Sequence, residues 1–173
     1  MKPNAGEVPV IGIAGWKKSG KTTLVTRLIT ELTRRGLKVA TVKHAHHGFQ
    51  IDEAETDSAR HRRAGAAQVA VVSRDRWAMI TELKGAPEPD LAEVLSWLDP
   101  CDLVIVEGYK GAAIPKIEVR RSEAFGKESL ADRDRMVLAI AADHAVEGHG
   151  LPVFSLDDVT GIADFILARK AVR

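Results

Sequence analysis

The sequence predicts an α/β protein in which a mainly parallel sheet lies between two layers of helices. Three observations predict it. Short apolar, β-branched runs alternate along the chain with segments whose apolar residues recur at helical spacing. One of those runs, Asp102 to Glu107, is continuously apolar between its two end acids, as a buried strand should be. Between the first run and the first helix lies Gly15-Trp16-Lys17-Lys18-Ser19-Gly20-Lys21-Thr22, which satisfies the phosphate-binding pattern G-x-x-x-x-G-K-[ST]. The motif needs strand, glycine loop and helix in that order, because a helix N-terminus turns unpaired N–H groups and a positive dipole end toward an anion. The expected architecture is therefore P-loop NTPase-like, with three layers and with ligands at the carboxyl ends of the strands.

The elements follow in order. Val8 to Ala14 reads as the first strand. Leu24, Val25, Leu28, Ile29 and Leu32 then mark one face of a helix. That helix should end at Arg34 and Arg35, whose charges suit a C-terminal dipole, with Gly36 taking the left-handed cap. Leu37 to Val42 is a second strand. Residues 43–56 are polar and irregular, and a loop of that length is usually functional or disordered. Asp57 and Ser58 are expected to cap a short basic helix that stops at Ala64 and Gly65. Gln68 to Ser73 and Arg76 to Leu83 suggest a hairpin at a sheet edge. After a break at Gly85 to Pro89, Asp90 and Glu93 open a helix with Leu91, Val94, Leu95 and Leu98 on one face, and Pro100 ends it. Asp102 to Glu107 is the apolar strand already noted. Ile114 to Arg120 alternates cleanly and reads as a half-exposed strand. Residues 121–135 are charge-rich and without period. Met136 to Ala142 is another buried strand, Val153 to Ser155 a short last one, and Val159, Ile162, Ala163, Ile166 and Leu167 supply the stripe of a terminal helix.

At 173 residues the chain is expected to form one domain. With 45% apolar and 28% charged residues it has the composition of a soluble globular protein. A net charge of +1 gives no electrostatic reason to propose nucleic acid or an anionic membrane as partner. The single cysteine, Cys101, excludes an internal disulfide and fits a reducing compartment. With neither a signal peptide nor a membrane span in view, a cytoplasmic location is expected.

The chemistry concentrates at the strand ends. In the loop Gly15 to Thr22, continued by Thr23, backbone N–H groups are expected to cradle phosphates, with Lys21 reaching the β/γ oxygens and the Thr22 hydroxyl ligating Mg²⁺. Glu107 ends the most apolar strand and is the acid that a nucleotide–Mg²⁺ site needs opposite its loop. Gly108 then lets the backbone approach the γ-phosphate. Asp102 lies roughly 16 Å away at the other end of that strand and reads as a turn residue. In the polar loop, His44, His46 and His47 fit a zinc site, an anion contact or a solvated segment, and the spacing matches no structural zinc site. Asp52 and Asp57 are candidates to reach the Mg²⁺ or the attacking water from that loop. Asp143, at the end of a buried strand, can accept two hydrogen bonds from guanine N1–H and N2–H₂, and equally suits a turn. The usual guanine-reading N-K-x-D is absent.

The segments G-W-K-K-S-G-K-T-T-L, T-V-K-H-A-H-H at 41–47, I-D at 51–52, D-S with R-x-A-G-A-A-Q at 57–68, V-E-G-Y-K at 106–110 and P-K-I-E-V-R at 115–120 together resemble the MobB family of molybdopterin-guanine dinucleotide biosynthesis. The resemblance implies a weakly hydrolysing, GTP-binding P-loop protein that assists the guanylyltransferase attaching GMP to molybdopterin. It also implies a homodimer. Family members often carry Gly-Lys before the Asp-Ser pair. This chain has Glu55-Thr56 there, so no phosphate contact from that lysine carries over. Two other readings stay open from the residues: a small-molecule kinase with Arg120, Arg121, Arg133 and Arg135 as a charged lid, and a nucleotide-controlled adaptor with little turnover.

Overall fold

A computed structural model of the chain describes residues 8–45, 48–49, 51, 55–124, 128–147 and 150–170. The chain forms two compact units, one of Met1–His44 with Leu91–Arg173 and one of Ala45–Asp90.

The larger unit is built on six strands: β1 (Val10–Ala14), β2 (Val39–Lys43), β5 (Leu103–Glu107), β6 (Lys116–Arg120), β7 (Val137–Ala142) and β8 (Val153–Ser155). Their order is β2-β5-β1-β6-β7-β8, and every pairing is parallel. Parallel neighbours require crossovers: α1 (Lys21–Arg34) lies between β1 and β2 and α3 (Leu91–Ser96) leads into β5, while α4 (Val159–Lys170) follows β8, the last strand. Successive side chains on a strand face opposite ways, so the two faces divide cleanly. Leu103 and Ile105 join Ile11, Ile13, Ile117, Val119, Ala139 and Ala141 under Leu24, Leu28 and Leu32 of α1 and Ile162 and Ile166 of α4. Val104 and Val106 face the other way with Val42, against Leu91, Val94 and Leu95 of α3 and Leu98 just beyond it. This is the expected three-layer arrangement. Gly36 takes the left-handed conformation at φ 85° after α1, and the Asp102 carboxylate accepts the Lys38 N–H at 2.8 Å, the turn role expected of it.

The strand β6 departs from its sequence reading. It is not half-exposed. It lies between β1 and β7, with Lys116 and Glu118 each about 1% exposed. The alternation is real, but its polar face is covered by a polar strap. Lys116 Nζ donates to Asp134 Oδ2 at 2.6 Å and to the Ala112 carbonyl. The Glu118 carboxylate accepts the backbone N–H groups of Leu130 and Ala131, each at 3.0 Å, and pairs with Arg120 at 2.8 Å. Buried charges are tolerable only when satisfied in this way.

The smaller unit holds α2 (Asp57–Arg63), β3 (Gln68–Val72) and β4 (Trp77–Thr81). Thr56, rather than Asp57 or Ser58, is the N-cap of α2: its hydroxyl accepts the Ala59 N–H, while Asp57 is the acid of the first turn. The hairpin forms as an antiparallel pair, but as a two-stranded sheet of its own rather than as an edge of the six-stranded one. Arg62 reaches Glu82 at 3.2 Å and helps hold helix to hairpin.

Candidate functional site

The site is set by two adjacent parallel strands and the helix that follows one of them. In β1, Ile13 pairs in register with Glu107 of β5, so the loop leaving β1 and the carboxylate ending β5 arrive together at the same sheet edge. Gly15 makes the first turn possible, since a Cβ there would lie 2.4 Å from the Val119 carbonyl oxygen. Lys18 takes a positive φ of 64°, and Gly20, at φ 90°, is the N-cap of α1 with no side-chain cap. The N–H groups of the first turn of that helix, including those of Lys21, Thr22 and Thr23, therefore have no acceptor within the helix. Lys17 and Lys18 are exposed at the tip of the loop, Trp16 is half-buried, and Ser19 is buried with its hydroxyl unpartnered among the described residues.

Thr22 and Glu107 meet directly. The Thr22 hydroxyl donates to Glu107 Oε1 at 2.6 Å, across a sequence separation of 85 residues. Lys21 Nζ folds back to donate to the Trp16 carbonyl at 2.7 Å. Burial pushes the Lys21 ammonium below its usual pKa, Glu107 opposes this, and the neighbouring Lys110 and Lys43 add to it. Lys43 and Lys110 thus stand close enough to Lys21 to act on its charge, a cluster of cations that favours a polyanion. Lys43 Nζ stands 3.4 Å from Glu107 Oε1, its strand position being in register with Glu107. Lys110 lies over the Trp16 ring at 4.0 Å, and the Trp16 indole N–H donates to the Glu128 carbonyl at 2.6 Å.

Gly108 sits at φ 91° against the His44 Cβ, which a Cβ of its own would approach to 3.2 Å. The His44 N–H donates to the Glu107 carbonyl at 3.0 Å and its ring leans on Tyr109 at 4.7 Å. His46, His47 and Asp52 lie outside the described residues. Asp57 belongs to the smaller unit, where it pairs with Arg60 at 3.7 Å. Asp143 stands just past β7. Its Oδ1 accepts the Ser122 N–H at 2.9 Å and lies 2.8 Å from His144 Nδ1. The His144 contact, then the Ser122 N–H, holds this carboxyl below the usual aspartate range.

The residues that sequence reasoning passed over are Lys43 and Lys110. Each lay in a quoted segment with no role assigned. The signal was available for Lys43, a cation closing a strand directly before the irregular loop. For Lys110 only the fold brings it onto Trp16.

Comparison with known proteins agrees with this arrangement. Residues 10–143 match the family of molybdopterin guanine dinucleotide synthesis protein B, MobB. The chain belongs to the MobB family. It is 38% identical over 162 residues to the molybdopterin-guanine dinucleotide biosynthesis adapter protein of Escherichia coli K12, covering 92% of each chain. A similar adapter protein from Haemophilus influenzae is also 38% identical, over 92% of this chain and 88% of that one. A crystal structure of molybdopterin-guanine biosynthesis protein B superposes with a TM-score of 0.71 at 33% identity, covering 92% of this chain and 99% of that one. The MobB homologue from Bacillus stearothermophilus gives 0.70 at 30% identity, covering 95% and 99%. The matched segment takes in both the phosphate loop and Glu107, and ends on Asp143.

Proposed function

We propose that this MobB-family chain is a Mg²⁺–GTP-binding adapter of molybdopterin-guanine dinucleotide biosynthesis, which hydrolyses GTP slowly and assists the guanylyltransferase that attaches GMP to molybdopterin. The observation that carries the nucleotide reading is the 2.6 Å contact between the Thr22 hydroxyl and the Glu107 carboxylate at the mouth of the loop. Both are the hard oxygen donors that Mg²⁺ takes, and they fit a metal shared with the phosphates. The metal would neutralise charge on the terminal phosphates. Lys21 would leave the Trp16 carbonyl for a phosphate oxygen, and the uncapped N–H groups of α1 would hold the remaining oxygens. Asp143 would read guanine, and Asp52 would serve the attacking water. The described site supplies no nucleophile, base and acceptor pocket of a second substrate, which favours the adapter over the kinase. The adapter role is carried over from relatives named as adapter proteins, and the homodimer rests on the family resemblance alone.

The test is calorimetric titration of GTP with and without Mg²⁺. Lys21→Ala is expected to abolish measurable binding while leaving the thermal unfolding midpoint unchanged, and unchanged affinity in that variant contradicts the phosphate-loop reading. Asp143→Ala is expected to erode the preference for GTP over ATP by about a hundredfold, roughly 3 kcal/mol, in competition experiments. Equal potency of ATP and GTP on the unmutated protein moves the base reader elsewhere. Dinucleotide formation by the transferase, alone and with this chain or its Lys21→Ala variant added, decides the adapter role.

A further inference from the structure

Arg121, the first residue after β6, reaches back across the phosphate loop. A Cβ added at Gly20 would lie 2.9 Å from Arg121 Nε and 3.2 Å from its Cζ, so the guanidinium rests against the N-cap of α1. Its neighbour Arg120 is committed to Glu118 at 2.8 Å. The Arg121 side chain, by contrast, is exposed and has no hydrogen-bond or ion-pair partner among the described residues. Beside it opens a recess of about 300 Å³, lined among others by Trp16, Ser19, Arg121 and His144. Ser19 contributes a buried hydroxyl with no hydrogen-bond partner among the described residues. An unsatisfied buried hydroxyl and an unpaired cation at an uncapped helix end together describe an incomplete anion site.

The inference rests on the reading of the loop as a Mg²⁺–nucleotide site, and that reading gives the phosphate chain a direction. Thr22 and Glu107 meet on the β5 side of β1. A Mg²⁺ held by Thr22 and Glu107 would neutralise the terminal phosphates, which on that reading lie toward β5. The α-phosphate and the nucleoside must then lie on the opposite side, toward β6, where Arg121 and the recess are. We propose that Arg121 clamps the α-phosphate of the bound nucleotide from the nucleoside side of the loop. Its planar, permanently charged fork suits two phosphate oxygens at once. The turn that carries it is anchored from behind, because the Ser122 N–H is held by Asp143 at 2.9 Å.

The experiment titrates GTP and GDP separately into the wild type, Arg121→Ala, Arg121→Lys and Lys21→Ala, and follows thermal unfolding of each. Arg121→Ala is expected to weaken both nucleotides alike, by roughly ten- to a hundredfold, because both carry an α-phosphate. Arg121→Lys should recover only part of that, and it carries the test if the alanine variant is unstable. The Mg²⁺ dependence should be unchanged. A loss confined to GTP puts Arg121 on the terminal phosphate and overturns the proposal. Intact binding by Arg121→Ala, with binding abolished in Lys21→Ala, overturns the clamp and leaves the loop reading standing. Failure of the wild type to bind either nucleotide overturns the underlying reading itself.

Discussion

Glu107 pairs in register with Ile13 and Glu118 with Ala14, so two buried carboxylates flank the end of β1 and, by strand alternation, leave the sheet from opposite faces. Their surroundings differ in kind. Glu107 faces the Thr22 hydroxyl and the Lys43 ammonium, groups that a metal ion or a phosphate can take over. Glu118 holds two backbone N–H groups and an arginine, which tie residues 130 and 131 to the sheet and leave its oxygens nothing to exchange. Burial of an acid therefore does not by itself mark a functional group. What separates the two is whether the partners can be replaced by a ligand.

The largest effect that tests this contrast is on stability. Glu118→Ala strands two N–H groups and Arg120 in a buried setting, and should lower the unfolding free energy by about 3–5 kcal/mol. Chemical denaturation measures it, and a loss under 1 kcal/mol would mean that the strap is not held by this carboxylate. Glu107→Gln sits at the other extreme. The amide keeps an acceptor for Thr22, so stability should change by less than about 1 kcal/mol, while Mg²⁺ dependence and GTP hydrolysis are lost. Hydrolysis across a Mg²⁺ series decides it, and wild-type turnover would return Glu107 to a structural role.

The smallest effect appears in acid. Burial acts to raise the Asp134 pKa, but the Lys116 hydrogen bond and charge and the Met136 N–H outweigh it, and the net shift is downward. A depressed folded-state value means stability that is present above the ordinary aspartate pKa and lost as pH falls through the lower folded one. As pH falls below about 4, then, the wild type should lose stability more steeply than Asp134→Asn, which does not titrate. Parallel acid limbs would show that Asp134 is not coupled to folding.

The same contrast explains how much of the molecule was legible in its sequence. The apolar cover of β5 is itself apolar, so Leu103 to Val106 announced a buried strand, and the acid ending it announced a site. The cover of β6 is a strap of polar backbone and charge. Lys116, Glu118 and Arg120 therefore looked like a solvent face, because hydropathy reports the chemistry of the neighbour and only indirectly its presence. The available clue was opposite charges alternating on one face, ahead of a charged stretch with no period of its own. The hairpin was visible in its pattern, but the sheet it belongs to was not, since pairing partners leave no mark on local periodicity. Within the site, the loop, Thr22 and Glu107 follow from spacing. Arg121 over Gly20 depends on contact across the sheet, and no window of sequence contains both.

Gly15 presses against the Val119 carbonyl so closely that even a methyl group would not fit between them. The phosphate loop is thus seated on β6 as a bearing sits on a shaft, and its height above the sheet is set by that strand. β6 in turn is registered by the Lys116–Asp134 and Glu118–strap contacts, on the face turned away from α1. Residues 130–134 and the loop Gly15–Thr22 are therefore linked through one strand, the first holding its Lys116 and Glu118 side chains and the second resting on its Val119 carbonyl.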